Sequence, residues 1–351
     1  MALPTHPNIF TLVHVFSIIS LAYSQNDTTQ KRFPAILIFG DSLVDTGNNN
    51  YITTPLRANH APYGESFPNE VPTGRFSDGK VISDFLASAL ALKELVPPVL
   101  DPKLTNEDIL TGVCFASAGS GYHDLTNALY NSISVMKQPD ILKSYVDKLK
   151  GGVGEIKAQK IIGDSMVVVV AGSNDFLVNY YGIPARRNLF GLNLYQNSLL
   201  LRVQDFVKAL YDIGCRNIMV AGLPPLGCGQ GPSLIFTTCL DPKNSDSQTY
   251  NIKLQELLPQ IQATLPGSKL VYADIFTPFV DMVTNPVKYG FLVTTKGCCG
   301  TGTFETGPLC SPLTPVCSNP AQYVFWDSIH PTQTAAGYIS QYLQTNALSQ
   351  F

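Results

Sequence analysis

Short runs of apolar and β-branched residues recur along the chain, at 35–39, 112–116, 165–171, 217–221 and 269–275. Between them the apolar positions change to a helical period. Val81, Ile82, Phe85, Leu86, Ala89 and Leu90 fall on one helix face, as do Ile141, Leu142, Tyr145, Val146 and Leu149. A third set, Leu199, Leu200, Val203, Phe206, Val207 and Leu210, runs toward Gly214, which suits a left-handed cap. Strands such as Val167-Val168-Val169-Val170 are apolar on both faces. Alternating with helices, they predict a parallel sheet covered on both sides, a three-layer α/β/α sandwich with five core strands. No internal repeat, charge block or Gly/Ser-rich linker divides the chain.

Composition narrows the function classes. With 45% hydrophobic and 14% charged residues among 351, the chain can bury a real core, which excludes wholesale disorder and coiled coil. Lys plus Arg is 23 against Asp plus Glu 26, a net charge of -3, so there is no electrostatic footprint for nucleic acid or anionic lipid. At the N-terminus, the apolar run 9–22 leads into Ala22-Tyr23-Ser24, a small-x-small cleavage signature. Residues 1–24 read as a secretory signal peptide, although the n-region has no Lys or Arg, and residues 25–351 as one mature domain. The longest uniformly apolar stretch after it, 166–171, is too short to span a bilayer, so no stable membrane insertion is expected.

Secretion changes how the eight cysteines read. Cys114 and Cys215 lie in strand-like segments as buried thiols, whereas Cys228, Cys239, Cys298, Cys299, Cys310 and Cys317 fall in Gly/Pro-rich loops and read as disulfide staples. Six cysteines allow 15 pairings, and spacing does not choose among them. A zinc site from Cys298, Cys299, Cys310 and Cys317 is the alternative, but they form no C-x-x-C pair. Asn26-Asp27-Thr28 is the one N-glycosylation sequon.

In such a sheet ligands bind at the carboxyl ends of the strands. The first three predicted strands run on into Gly40-Asp41-Ser42, Ala116-Ser117-Ala118-Gly119 and Gly172-Ser173-Asn174-Asp175 respectively. A hydroxyl, a glycine backbone and a side-chain amide therefore converge on one edge. Taken singly, each has a structural use, as a helix cap, a turn or a loop clamp. Near the C-terminus stands Asp327-Ser328-Ile329-His330-Pro331, before a helical pattern on Ala335, Ala336, Ile339, Tyr342 and Leu343. Pro331 fits a first helical position, which sets His330 at the positive end of that helix, where a neutral ring is favoured. Asp327, three residues earlier, is placed to reach the other ring nitrogen. The loop 45–80 and the cysteine-rich stretch 297–323 are expected to shape the pocket walls.

Gly40-Asp41-Ser42-Leu43-Val44-Asp45-Thr46-Gly47-Asn48-Asn49-Asn50 resembles the opening block of the plant GDSL esterase/lipase family of the SGNH hydrolase superfamily. The blocks at 114–119, 172–175 and 327–331 occur in the family's order, and Pro72-Thr73-Gly74-Arg75-Phe76-Ser77 and 222–228 are similar to its intervening signatures. One position departs: the second block often begins with Asn, and this chain has Cys114. The resemblance implies the flavodoxin-like sheet of the SGNH hydrolase fold, with Ser42 as nucleophile, His330 as base and Asp327 as its orienting partner. The oxyanion hole would combine the Ser42 and Gly119 amides with the Asn174 side chain, with no metal and no organic cofactor. The expected function is a secreted, extracellular esterase or lipase of the cell wall space, acting on small-molecule or polymer-linked esters. An acyltransferase using the same site on cuticle or wall esters, or a non-catalytic specifier or binding protein, are the alternatives. Gly163-Asp164-Ser165 repeats the tripeptide but precedes its strand, which puts Ser165 on the opposite sheet edge.

Overall fold

Four parallel strands, β1 (Ile36–Gly40), β2 (Met166–Val170), β3 (Asn217–Ala221) and β4 (Lys269–Ala273), lie side by side in that order. Ile36 stands opposite Met166, Met166 opposite Asn217, and Asn217 opposite Lys269. The chain folds this way because both faces of each strand are apolar. Leu37, Phe39, Val167, Val169, Ile218 and Val220 face one core, packed by the helices Gln138–Val153, Glu155–Asp164, Leu192–Ile213 and Pro242–Thr264. Ile36, Ile38, Val168, Val170, Met219 and Val271 face the other, under Ile82–Ala89, Phe276–Thr284 and Gln333–Asn346. These features are those of a computed structural model, which describes Met1 and residues 32–228 and 242–351. Within it Lys31–Phe351 is one compact unit. The expected signal peptide, the Asn26 sequon and Cys239 lie outside the described residues.

The expected second strand is present only as a bridge. Residues 112–116 run parallel to β1, with Ile38 N–H donating to Val113 O at 3.2 Å and Phe115 N–H to Ile38 O at 2.7 Å. Their outer side pairs only once more, in a parallel bridge to Pro98 with Cys114 N–H donating to Pro97 O at 2.9 Å and Val99 N–H to Cys114 O at 2.8 Å, and the Asn48 side-chain amide ties down the carbonyls of Cys114 (2.9 Å) and Ala116 (2.8 Å). The segment still occupies the flavodoxin-like position beside β1, so the α/β/α fold class stands with four regular strands in place of five. A second sheet, β5 (Val293–Gly297) paired with β6 (Tyr323–Phe325), was not expected from the sequence. Its polar strand, with Thr294, Thr295 and Lys296, carries none of the apolar signal that marks the core strands.

The C-terminal helix also differs from expectation. It begins at Gln333, with Thr332 as N-cap accepting from the Ala335 N–H at 3.2 Å. Pro331 instead pairs with Phe325 in an antiparallel bridge. A hydroxyl that caps directly outcompetes a proline start, so His330 sits before the cap and not on the helix end.

The loop cysteines pair as Cys298–Cys317 and Cys299–Cys310, and Cys228 is also disulfide-bonded. The four cysteines of the zinc alternative are thus joined to one another. Cys114 and Cys215 remain buried thiols. The stapled loop bonds to the segment before Asp327: Cys298 N–H donates to Phe325 O at 3.1 Å and Cys299 N–H to Trp326 O at 2.8 Å.

Candidate active site

Gly40 ends β1 at φ +136°, and a Cβ there would lie 1.8 Å from the Val170 carbonyl oxygen, so only glycine lets the chain turn out against β2. Gln138 clamps this turn from below. Its Oε1 accepts the Gly40 N–H at 2.9 Å and its Nε2 donates to Gly40 O at 2.8 Å. Ser42 therefore emerges at a held carboxyl edge. Its Oγ lies 2.8 Å from His330 Nε2. His330 Nδ1 in turn lies 2.7 Å from Asp327 Oδ2 and 2.9 Å from Oδ1.

Every other group around Asp327 is a donor. Oδ1 accepts the Ile329 and His330 N–H groups at 3.0 and 2.8 Å, and Oδ2 accepts Tyr63 Oη–H at 2.8 Å and Thr306 Oγ1–H at 3.0 Å. Burial pushes the Asp327 carboxyl up, but the His330 ring and these backbone donors outweigh it and hold it below its ordinary value. An ionised Asp327 only accepts, so Nδ1 carries the ring proton and the Nε2 lone pair faces Ser42. Tyr63 and Thr306 come from the two loops expected only to wall the pocket. The sequence held no signal for their role, because they meet Asp327 only across the fold.

Gly119 (φ +79°) and Asn174 line the same cleft as Ser42 and His330. Asn174 donates one amide hydrogen to Ser120 O at 2.9 Å, which leaves the second for the cleft. Among the described residues, neither the Ser42 nor the Gly119 amide has an acceptor. Three donors are thus held unspent on one side of Ser42.

The other polar residues of the blocks are struts. Asp45 Oδ1 accepts the N–H groups of Gly47 and Asn48 at 2.8 and 2.9 Å, and its Oδ2 accepts that of Ala118 at 2.9 Å. Asn49 donates to Ala118 O at 3.0 Å and accepts from Ser117 Oγ at 2.6 Å. Asp175 accepts from Tyr122 N–H, His123 N–H and Thr126 Oγ1–H at 2.7–2.9 Å. Arg75 makes a bidentate, buried pair with Asp84 at 2.7 and 2.8 Å and reaches Thr46 O at 3.2 Å. Cys114, where the family often has Asn, directs its thiol to Val44 O at 3.3 Å, and burial pushes that thiol up to about 12. It packs as an inert thiol. Ser165 is fully buried at the other end of β2, with its Oγ–H donating to Ile161 O at 2.6 Å.

Asp41 is a strained member of this shell. Its Oδ1 accepts the Leu43 N–H at 3.1 Å, while buried Oδ2 has no partner. Burial raises its carboxyl from 3.8 to about 7, against the Leu43 bond and the His330 ring, which lower it. Because the folded value lies above the unfolded one, the folded chain holds an extra proton between these limits. The resulting stabilisation is full below about 4 and lost as pH rises through about 7. Calorimetry of Asp41→Asn is therefore expected to show a Tm raised by about a few degrees at pH 8, and a narrower Tm difference between pH 8 and pH 5.5 than in the parent. An unchanged difference would contradict this.

A doubly wound sheet that gathers a serine, a histidine and an aspartate at its carboxyl edge has the layout of a hydrolase working through an activated hydroxyl. Residues 36–343 match the model of the GDSL-like lipase/acylhydrolase family, and the chain belongs to that family. GDSL esterase/lipase At2g31550 of Arabidopsis thaliana is 52% identical over 91% of this chain and 90% of its own. GDSL esterase/lipase At1g06990 of the same plant is 50% identical over 95% and 96%. The protein is a carboxylic ester hydrolase.

Proposed function

We propose that the protein is a secreted esterase that works through an acyl-enzyme on Ser42, and the observation that carries this is the unbroken Ser42–His330–Asp327 chain of hydrogen bonds. His330 Nε2 takes the Ser42 proton as Oγ bonds to the ester carbonyl carbon. The carbonyl oxygen becomes an oxyanion bound by the Ser42 and Gly119 amides and the free Asn174 hydrogen. Collapse of this intermediate breaks the bond to the alcohol oxygen, which takes the proton from Nε2 and leaves. Water, giving its proton to Nε2, then attacks the acyl-enzyme and releases the acid and the serine. Asp327 stays ionised throughout and offsets the charge on the ring. Disulfides Cys298–Cys317 and Cys299–Cys310 support an oxidising, extracellular setting, and no helix among the described residues is long and apolar enough to cross a membrane.

The acyl-enzyme is tested by competition with methanol. Two esters of one acid with different alcohols are expected to yield the same ratio of methyl ester to free acid, because both pass through one intermediate. A ratio that depends on the leaving alcohol overturns the scheme. Asn174→Ala is expected to lower kcat by roughly 100- to 1,000-fold with KM little changed, the effect of losing one donor to a developing charge. A change confined to KM in steady-state assays would contradict that role.

A further inference from the structure

Two recesses meet at Ser42. Both are lined by Ser42, Asn174 and His330, so an ester whose carbonyl carbon sits at the Ser42 Oγ has one recess for each of its halves. They are very unequal, about 430 Å³ against about 50 Å³. The smaller one suits a short group and the larger a much bulkier one. Its wall does not yield readily. Phe279 and Phe325 stack there with centroids 5.8 Å apart at 27°, and Leu226 and Leu43 are buried beside Pro224 and Pro225. Leu43, Phe279 and Phe325 belong to the core on one face of the sheet and Leu226 to the core on the other, so enlarging it means displacing close-packed side chains.

The larger recess differs in kind. Leu56, Phe76, Leu129, Leu177, Val178 and Ile183 line it, and most of these are half-buried or exposed, Leu129 at 51%. It is an apolar trough that faces solvent. Chemistry assigns the halves to the two recesses. The alcohol leaves first and water must take its place beside His330 Nε2, so the alcohol side needs a route to solvent. The acyl group stays on Ser42 through both steps and leaves, as the acid, only after the alcohol has vacated the trough.

Resting on the acyl-enzyme reading, we propose that the substrates are short-acyl esters of a bulky and largely apolar alcohol, with the acyl group in the small recess and the alcohol in the trough. The six apolar walls favour an alkyl or aromatic alcohol skeleton over a sugar.

Two isomers of equal size separate the halves: decyl acetate and ethyl decanoate, compared in one buffer below their aggregation limits. The full chain is expected to favour decyl acetate by roughly 100-fold in kcat/KM, the scale on which a small apolar pocket rejects surplus methylenes. Equal rates, or a preference for ethyl decanoate, would overturn the assignment. Phe279→Leu, with Phe279→Ala as a stronger enlargement, is expected to raise 4-nitrophenyl octanoate turnover relative to 4-nitrophenyl acetate about tenfold. An unchanged acyl-length profile in a folded variant also overturns it. Labelling by an organophosphonate distinguishes the failures. Ser42 labelled while ethyl decanoate wins, or while neither isomer is cleaved, sinks the recess assignment alone. Ser42 unlabelled with no ester cleaved sinks the acyl-enzyme reading and this inference with it.

Discussion

Ser42→Ala is expected to lower ester hydrolysis by about a million-fold and to abolish labelling by an organophosphonate, whereas Ser165→Ala keeps both. The two serines share the tripeptide Gly-Asp-Ser, at 40–42 and 163–165. They differ in which end of a strand they occupy. Ser42 comes after β1 and meets His330 at 2.8 Å, while Ser165 precedes β2 and spends its hydroxyl on Ile161 O. Across a five-residue parallel strand these ends lie on the order of 13 Å apart. The loss at Ser165 is one buried hydrogen bond, about 1 kcal/mol of stability, read as a small fall in Tm. Peptide mapping of the labelled protein decides the matter. A label on the peptide containing Ser165, or normal turnover by Ser42→Ala, would show the strand-end argument to be wrong.

Asp327→Asn is expected to cost about 10,000-fold in kcat while leaving the fold intact. The direction is set by the donors around the carboxylate. The Ile329 and His330 amides are fixed and must be met by an oxygen, so the asparagine Oδ1 takes the Oδ1 position. Its Nδ2 then falls at the Oδ2 position, where Thr306 Oγ1 can turn to accept, while Tyr63 Oη, which also accepts the Gly307 N–H at 2.7 Å, loses the oxygen it donated to. Nδ2 also replaces the nearer of the two oxygens, 2.7 Å from His330 Nδ1 against 2.9 Å for Oδ1, and the ring accommodates by moving its proton to Nε2. That nitrogen can no longer accept from Ser42. Steady-state kinetics with calorimetry checks this: a large fall in kcat with a Tm lowered only by the loss of one buried hydrogen bond is expected, and a variant with near-parental kcat would contradict it.

The four core strands, the helical stripes at 81–90, 141–149, 199–210 and 335–343 and the order of the motif blocks were legible because each is a local signal. Apolar runs mark β1 to β4, and the buried stripe of the Gln138–Val153 helix is readable at Leu142, Tyr145 and Leu149. Gln138 lies on that same stripe, four residues before Leu142. A polar residue there was the one available sign that the helix grips something, though not that it grips Gly40. The Asp327-x-x-His330 spacing was likewise readable, since three residues suffice for the side chains to meet. The start of the last helix was misplaced because a proline and a capping threonine stand side by side, at 331 and 332, and only the observed bond to Ala335 chooses between them.

The cysteine-rich loop, the alternating α/β order and the residues at strand ends were set by the chain itself, because they depend on neighbours in sequence and on the fixed hand and period of helices and strands. The tertiary structure alone decided which hydroxyls meet Asp327. Tyr63 comes from 264 residues away, and Thr306 from a loop pinned by Cys298–Cys317 and Cys299–Cys310. It alone decided the pairing of those cysteines and the unequal recesses beside Ser42. Such features arise where segments distant in sequence pack against one another. Their shapes result from volumes and donor directions summed over the whole core, which no local pattern of residues encodes.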